Sequence, residues 1–317
     1  MSEIKVSIRC TVYNHEKYLK KCLDGFIMQK TNFLFEVIVH DDASTDNSAE
    51  IIREYEKKYP NIIKPIYQTE NQYSKGIPIS KTFVDPHCKG AYWAICEGDD
   101  YWTDENKLQK QYDFMVNNPN CSICAHGAML HNQRTNRVKF YGPGKNAQYY
   151  TPDQVILGGG GFVATNTLFL KREVAERMPA CFACEGVGDY QLQMHGAMVG
   201  DFYYMPESMA VYNMFSSPSA WTSQISKARN AKRAQNIEKM LTCVNAHYNG
   251  KYANAIERKI LINTFNINLE NGNYQECKKE IYKEVYKHDG FVRKTLIKVQ
   301  IYCPWLIRLV NKLRGKA

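Results

Sequence analysis

Acidic and polar side chains collect at three points of this 317-residue chain, each directly after an apolar run. The first is Thr11-Val-Tyr-Asn14, the second is Asp41-Asp42 and the third is Glu97-Gly-Asp-Asp100. Carboxylates that lie close together repel one another, and a divalent cation with oxygen ligands relieves that repulsion. These residue types therefore point to Mg²⁺ or Mn²⁺ binding, with a substrate diphosphate as a further ligand.

The elements between these points predict how the side chains meet. Runs of apolar and β-branched residues predict strands at 5–12, 35–40, 62–67 and 90–96, and apolar residues three and four apart predict helices within 15–30 and at 47–58. Such alternation predicts an α/β fold with a mostly parallel sheet flanked by helices. Ligands of these sheets bind at the carboxyl ends of the strands, where all three groups fall.

The middle of the chain predicts a second half of the same sheet. The predicted elements are a helix at 103–118, a strand at 122–131, a polar surface segment at 132–150, a strand at 162–170 after four glycines, and a strand region at 203–212. Between the last two, Gly188-Asp189 leads into a helix predicted to begin at Tyr190. Asp189 is therefore predicted to cap this helix, whose N-terminus stabilises a carboxylate in its ionised form.

The C-terminal third is predicted to be helical and basic. Helices are predicted at 231–246, 253–270 and 274–286, and Pro304 is predicted to divide 291–314 into two more. From Lys278 onward there are 11 Lys and Arg against 3 Asp and Glu, which is a net charge of +8 out of +9 for the whole chain. This predicts peripheral contact of 290–317 with an anionic membrane. The alternative is a helix packed on the core with a solvated basic face.

Composition excludes several other classes of protein. The chain is 44% apolar with a mean hydropathy of −0.48 and no apolar run near the ~18 residues of a membrane span. Its 11 cysteines are scattered and accompany no export-signal pattern, so they are expected to be reduced thiols in a cytoplasmic protein. No nucleic-acid recognition motif accompanies the positive charge, so nucleic acid is not an expected partner.

Three motifs in order resemble the family 2 nucleotide-sugar glycosyltransferases of the GT-A fold. They are Thr11-Val-Tyr-Asn-His-Glu-Lys-Tyr-Leu19, Val37-Ile-Val-His-Asp-Asp-Ala-Ser-Thr-Asp-Asn-Ser48 and Ile95-Cys-Glu-Gly-Asp-Asp-Tyr-Trp102. The resemblance implies a GT-A domain at 1–216, with a donor-binding half at 1–130 and an acceptor-binding half at 131–216, followed by a helical region at 217–317. It also implies a metal-dependent, inverting transfer of sugar from a nucleoside-diphosphate sugar, of the UDP type, to a hydroxyl of a glycan or a polyprenyl-diphosphate-linked acceptor.

The resemblance assigns expected roles residue by residue. Asp99 is the expected ligand of Mn²⁺ or Mg²⁺, and Asp189 is the expected catalytic base, with Glu185 in reserve. The expected donor-binding residues are Thr11, Tyr13, Asn14, Glu16, Asp41, Asp42, Glu97 and Asp100. The expected acceptor-binding residues are Trp102, Thr165 and Asn166. The segment 216–221 is expected to be a flap over the donor.

Two departures from the family pattern leave alternatives open. Glu97 stands where the metal-binding motif usually has Asp, and Asn213-Met214 stands where relatives commonly carry Arg and a nearby His. Lys75 and Lys227 are candidates for the missing cation. A nucleotidyltransferase that acts on sugar phosphates would share the acidic residues at the carboxyl ends of the strands. It also needs a basic triphosphate-binding loop, and the segment 11–16 lacks one. A non-catalytic sugar-nucleotide or partner-binding module of the same fold is the other alternative.

Overall fold

The computed structural model describes residues 3–184, 187–218, 220–224, 226–287 and 290–306. Contacts divide the chain into two compact units, Met1–Pro179 with Gly188–Gln224, and Ala180–Val187 with Ile225–Ala317. The first unit holds the whole sheet. The segment Ala180–Val187 groups with the C-terminal helices, which the sequence did not predict.

The described residues of the first unit form ten strands. They are β1 (Ile4–Val12), β2 (Leu34–Asp41), β3 (Ile63–Tyr67), β4 (Tyr92–Ile95), β5 (Tyr101–Trp102), β6 (Cys121–Asn132), β7 (Arg137–Tyr141), β8 (Gln148–Tyr150), β9 (Phe169–Lys171) and β10 (Asp201–Met214). The strand order is β3-β2-β1-β4-β9-β6-β10-β5, with β7 beside β6 and β8 beside β10. Strands β3, β2, β1 and β4 are parallel, and β6 is parallel to β10, whereas β9 is antiparallel to both β4 and β6.

Helices in this unit pack their apolar stripes against the sheet. They are α1 (Glu16–Ile27), α2 (Ser48–Lys58), α3 (Lys107–Asn117), α4 (Pro152–Gly158), α5 (Arg172–Glu176) and α6 (Gly188–Val199). In α1 the buried residues recur every three or four positions, at Leu19, Cys22, Leu23 and Phe26, and they join β1 and β2 in one core cluster. The predicted α/β sheet flanked by helices is confirmed.

Two sequence-based boundaries were wrong. The predicted strand at 162–170 is a 3₁₀ turn, Thr165–Thr167, followed by the three-residue strand β9. The Thr167 hydroxyl donates to the carbonyl of Ala164 at 2.6 Å, and this local bond replaces strand pairing at that point. The polar segment 132–150 contains strands β7 and β8, because each finds a neighbour in β6 or β10.

The second unit is helical within its described residues. Its helices are α7 (Lys227–His247), α8 (Ala253–Asn271), α9 (Tyr274–Cys277), α10 (Glu280–Tyr286) and α11 (Phe291–Tyr302). A separate apolar cluster joins Phe265 of α8 to Tyr282, Tyr286 and two residues of α11. Helix α11 ends at Tyr302, just before Pro304 as predicted. Most of the second predicted helix lies outside the described residues. No helix in the described part of the chain is both long and apolar enough to cross a membrane.

Gly90 is fixed by the close approach of β4 to β1. A Cβ atom at this position would lie 2.5 Å from the backbone nitrogen of Ser7 and 2.6 Å from the carbonyl carbon of Val6. Backbone cannot move aside as a flexible side chain does, so we expect Gly90→Ala to destabilise the protein by about 1–3 kcal/mol or more. Urea unfolding measures this change. Gly290→Ala is the control, because a Cβ there meets no atom within 4 Å, and equal losses in both variants would contradict the explanation.

Candidate active site

The strand register brings the three acidic groups to one edge of the sheet. Val12 is the partner of Asp41 across β1 and β2, so both strands end at the same level. The amide of Asp42 donates to the carbonyl of Val12 at 2.9 Å, and the amide of Gly98 donates to the carbonyl of Thr11 at 3.0 Å. These two bonds tie the loops after β2 and β4 to the end of β1, which carries Thr11 and Tyr13.

Gly98 is required because the loop after β4 passes close to the end of β1 and to His15, the residue before α1. A Cβ atom at Gly98 would lie 2.8 Å from a methyl carbon of Val12 and 2.9 Å from Nδ1 of His15. The residue between Glu97 and Asp99 therefore has no room for a side chain. The glycine allows the two flanking carboxylates to sit directly at the end of β1.

Asp41 and Asp42 are both buried and differ in their hydrogen bonding. The Asp42 carboxylate accepts from the backbone amides of Gln72 at 2.8 Å and Tyr73 at 3.0 Å, which fixes the turn after β3. Asp41 accepts from the Ser44 amide at 3.3 Å, and its other oxygen has no hydrogen-bond partner among the described residues. Burial raises the pKa of Asp41. Asp41 thus retains a free acceptor and Asp42 shapes the loop beside it.

Asn14 and Glu16 tie the loop after β1 to the loop after β2. Asn14 has a left-handed backbone, with φ 57°, and its side-chain oxygen accepts from the Thr45 amide at 2.7 Å. The Glu16 carboxylate accepts from the amide of Asn47 at 3.0 Å and from its side chain at 2.9 Å. Both side chains were predicted to bind the donor. In this structure they hold together the two loops that frame the site.

Glu97 lies within electrostatic reach of two other carboxylates. Its side chain is exposed to solvent and only partly desolvated by the neighbouring protein. That desolvation, followed by the negative charges of Asp99 and Asp189, raises the pKa of Glu97 to about 8. The charges of the predicted metal ligand and the predicted base, 90 residues apart in sequence, thus both act on Glu97.

Asp99 is partly exposed and is held from two sides. Its carboxylate accepts from the hydroxyl of Ser216 at 2.6 Å, and Nε2 of His15 lies 4.0 Å from the same oxygen. Ser216 follows Phe215, whose φ of 60° is uncommon for a residue with a side chain. The segment 216–221 thus begins with a residue, Ser216, that is hydrogen-bonded to the predicted metal ligand. Its movement as a flap stays a prediction.

Asp100 is buried, and Asn213 of β10 fixes it. The Asn213 amide donates to the Asp100 carboxylate at 2.7 Å, and the Asn213 side chain donates to the carbonyl of Asp99 at 2.6 Å. Burial, and then the charge of Asp99, raises the pKa of Asp100 well above its usual range. With 1% exposure, Asp100 does not reach a donor sugar in this structure, and it anchors the motif to β10 instead. Of these two bonds, only the one to the carbonyl of Asp99 uses the asparagine side chain.

Tyr212 is a site residue that the sequence did not single out. Burial and then the charges of four carboxylates raise its pKa; they belong to Asp100, Glu97, Asp99 and Asp189. Its side chain is half-buried. The only available signal was its place directly before Asn213 in the last strand of the predicted domain. The groups that shift its pKa by charge are all acidic, so the site carries unbalanced negative charge.

Asp189 stands in the first turn of α6, as predicted. One carboxylate oxygen accepts from the Thr165 hydroxyl at 3.4 Å and the other from the amide of Tyr190 at 2.8 Å. Thr165 was predicted to contact the acceptor, and the structure brings it to the predicted base. Glu185, the reserve candidate, lies outside the described residues.

Trp102 and Asn166 lie in the core rather than on the acceptor side. Trp102 is 2% exposed, and its indole N–H donates to the carbonyl of Asn166 at 2.9 Å. Asn166 is fully buried and donates to the carbonyl of Val211 at 2.8 Å. Neither side chain offers a surface to an acceptor in this structure, which corrects the sequence-based expectation. The Lys107 ammonium, 3.8 Å from the centre of the Trp102 ring, completes the packing.

The two candidate replacements for the missing cation fall in different units of the chain. Lys75 forms an ion pair with Glu70 at the surface, and Lys227 begins α7 in the second unit. The residues that replace the usual Arg and His are Asn213 and Met214, of which Asn213 is a hydrogen-bond donor without charge.

The raised pKa of Glu97 predicts a pH-dependent stability. In the unfolded chain the Glu97 carboxyl loses its proton near pH 4.5, whereas in the folded chain it keeps its proton up to about pH 8. The folded state therefore binds more protons between these values, and stability falls as pH rises from 4.5 to 8. We expect Glu97→Gln to gain stability relative to wild type across that window, in melting curves without divalent cations. Glu207→Gln, at an exposed position of β10, is the control; identical pH dependence in wild type and Glu97→Gln would contradict the prediction.

The chain belongs to glycosyltransferase family 2. The profile described as Glycosyl transferase family 2 matches residues 7–178, which is more than half of the chain. A Mycobacterium tuberculosis protein described as uncharacterised is 32% identical over 250 residues, 76% of this chain and 69% of that protein. A poly(ribitol-phosphate) beta-glucosyltransferase of Bacillus spizizenii is 36% identical over 118 residues, 36% of this chain and 18% of that protein.

Solved structures show the same fold. Staphylococcus aureus TarS 1-349, in complex with UDP-GlcNAc, matches with a TM-score of 0.64 and 16% identity, over 89% of this chain and 79% of that one. The mannosyltransferase PcManGT from Pyrobaculum calidifontis, in complex with GDP-Man and Mn²⁺, matches with a TM-score of 0.56 and 16% identity, over 99% and 85%. The predicted GT-A fold is thus confirmed.

Proposed function

We propose that this protein transfers a sugar from a nucleoside-diphosphate sugar, of the UDP type, to a hydroxyl of a glycan or a polyprenyl-diphosphate-linked acceptor, with inversion at the anomeric carbon. The observation that carries the proposal is the convergence of Glu97, Asp99 and Asp189 at one site of a family 2 chain. The names of its relatives, including a poly(ribitol-phosphate) beta-glucosyltransferase, support a role in surface-polysaccharide synthesis.

The donor nucleotide is assigned to the edge formed by β1 and β2. Thr11 and Tyr13 lie at the end of β1. The Asp41 carboxylate beside them has one oxygen without a hydrogen-bond partner among the described residues; it is buried, so the neighbouring loop would have to move for a donor to reach it. An acidic acceptor of this kind recognises N–H and hydroxyl donors, which uracil and ribose supply. Asp42, Asn14 and Glu16 contribute by shaping the loops around that pocket. The UDP complex of TarS is consistent with this choice of nucleotide.

A divalent cation fits the charge of the site but needs ligands from the substrate. In the described part of the chain, no three His, Cys, Asp or Glu side chains gather closely enough to hold an ion by themselves. Asp99 would hold Mn²⁺ or Mg²⁺, with diphosphate oxygens as further ligands, after the Ser216 hydroxyl moves from its carboxylate. The bound ion would neutralise negative charge on the departing nucleoside diphosphate. The neighbour solved with GDP-Man and Mn²⁺ supports this cofactor class.

Asp189 is assigned as the general base. Its carboxylate takes the proton of the acceptor hydroxyl while that oxygen attacks the anomeric carbon and the bond to the diphosphate breaks. The Thr165 hydroxyl and the Tyr190 amide orient the carboxylate for this step. A single base without a second positioned nucleophile gives inversion. A lipid-linked acceptor places the reaction at the inner face of the cell membrane, where we propose a peripheral, cytoplasmic location.

The configuration of the product tests this assignment. The protein is incubated with Mn²⁺, α-linked UDP-sugars in turn, and polyprenyl-linked or glycan acceptors, and the new linkage is read by proton NMR. We expect a β-linked product together with released UDP. An α-linked product would overturn the inverting mechanism, and transfer of a nucleotidyl group in place of the sugar would overturn the proposed reaction.

A further inference from the structure

Among the described residues of the second unit, helix α11 packs one of its faces. Ile297 and Ile301 are buried against Phe265 of α8 and Tyr282 and Tyr286 of α10. This packing fixes the rotation of the helix about its axis, since buried residues four apart define one side. The side chains about half a turn away must face outward.

The outward side of α11 is apolar. Phe291 is 84% exposed, Val292 70% and Leu296 57%, and Tyr302 is also exposed at the end of the helix. We call these four residues the outer face of α11. Trp305, 61% exposed, follows just after it. Contiguous exposed apolar residues on a helix mark an interaction surface.

The charge around the outer face has one sign. Arg293, Lys294 and Lys298 lie on α11, and residues 290–317 hold seven basic residues and no acidic one. The acidic residues of α9 and α10 are each paired with a lysine three positions later, namely Glu276 with Lys279, Glu280 with Lys283, and Glu284 with Lys287. Their negative charge is therefore offset by these lysines, while the charged residues of α11 itself, Arg293, Lys294 and Lys298, are all basic.

We propose that the outer face of α11 docks on an anionic lipid surface, with its apolar side chains below the headgroups and its lysines and arginine among them. An amphipathic helix with basic flanks has this complementarity. Trp305 adds a residue type that favours the interface between headgroups and hydrocarbon. A second copy of the chain is a poorer occupant, because an α11–α11 contact brings the like charges of both helices together. The inference rests on the proposed function only in that a lipid-linked acceptor requires access to a membrane.

Vesicle sedimentation with the full chain tests the proposal. We expect the protein to sediment with vesicles that contain phosphatidylglycerol and to stay in solution with pure phosphatidylcholine. Phe291→Gln combined with Leu296→Gln should lower the bound fraction on the order of tenfold, and added salt should weaken binding. Val138→Gln combined with Val199→Gln is the matched control, because these residues are exposed apolar side chains of the first unit. Circular dichroism checks that both double variants are folded.

Three outcomes would overturn the proposal. The first is equal binding of the wild-type protein to neutral and anionic vesicles, and the second is unchanged binding by the Phe291/Leu296 double variant. The third is a wild-type protein that forms a dimer, seen by light scattering, and binds no vesicles, while the double variant is a monomer. UDP binding is measured on the same samples. The residues assigned to UDP binding lie in the first unit, so the two results are separable. In the wild-type protein, UDP binding without vesicle binding contradicts the docking surface alone, and vesicle binding without UDP binding contradicts the proposed function alone.

Discussion

Asp189→Asn is expected to lower the rate of sugar transfer by about a thousandfold and to leave donor binding nearly unchanged, because general-base catalysis contributes roughly 10²–10⁴ in rate. The asparagine side-chain oxygen can still accept from the Tyr190 amide, and its NH2 group can donate to the Thr165 hydroxyl oxygen, so the local structure should persist. The variant loses only the ability to take the proton of the acceptor. The measurements are kcat for transfer and Kd for the nucleotide, made on the same preparation.

Asp153→Asn is the matched control for that variant. Asp153 also lies in the first turn of a helix, α4, so its replacement removes the same charge from an equivalent position away from the carboxylate cluster. We expect its transfer rate to equal that of wild type. If Asp189→Asn kept more than about a tenth of the wild-type rate, Asp189 could not be the base, since the loss would fall below the lower limit for base catalysis.

Asp99→Asn is expected to remove the metal dependence of nucleotide binding. Loss of even a supporting partner of a metal ligand weakens metal binding by about 10–100-fold, so removal of the ligand charge should cost at least about a hundredfold. Ser216→Ala should leave metal-dependent binding intact or strengthen it, because the Ser216 hydroxyl occupies the same carboxylate. Calorimetric titration of UDP with and without Mn²⁺ separates these cases.

The control for Asp99→Asn is Asp201→Asn, at an exposed position of β10. It should bind UDP and Mn²⁺ as wild type does. Equal affinity of Asp99→Asn and wild type for UDP in the presence of Mn²⁺ would contradict the assignment of Asp99. Tighter metal-free binding by Asp99→Asn is compatible with it, since the variant removes repulsion between the carboxylate and the diphosphate.

The sheet edge and its acidic residues could be predicted because they depend on local pattern. β-branched runs predicted β1, β2 and β4, and parallel strands necessarily bring their carboxyl ends together. The position of Asp189 at the start of a helix was predicted in the same way. Its role as the catalytic base came from the family resemblance and stays a prediction; its charge is among those that raise the pKa of Glu97.

The roles that could not be predicted depend on long-range packing. Trp102 follows the acidic motif directly, yet contact with Phe26 and Lys107 turns its ring into the core. The backbone amide of Asn213 is hydrogen-bonded to the Asp100 carboxylate, 113 residues away in sequence, and no local sequence pattern indicates such a pair. Asn14 and Glu16 belong to a family motif, but their side chains bond between two loops, a role that only the folded geometry reveals.

A thermal-shift measurement with nucleotides tests the central claim most directly, because any ligand that binds only the folded state raises the melting midpoint. The account predicts that UDP, or one UDP-sugar, raises the midpoint of the wild-type protein when Mn²⁺ is present and by much less when it is absent. It also predicts that Asp99→Asn loses this difference. No shift with any nucleotide or nucleotide sugar, with or without Mn²⁺, would contradict a nucleotide-sugar site at the ends of β1, β2 and β4.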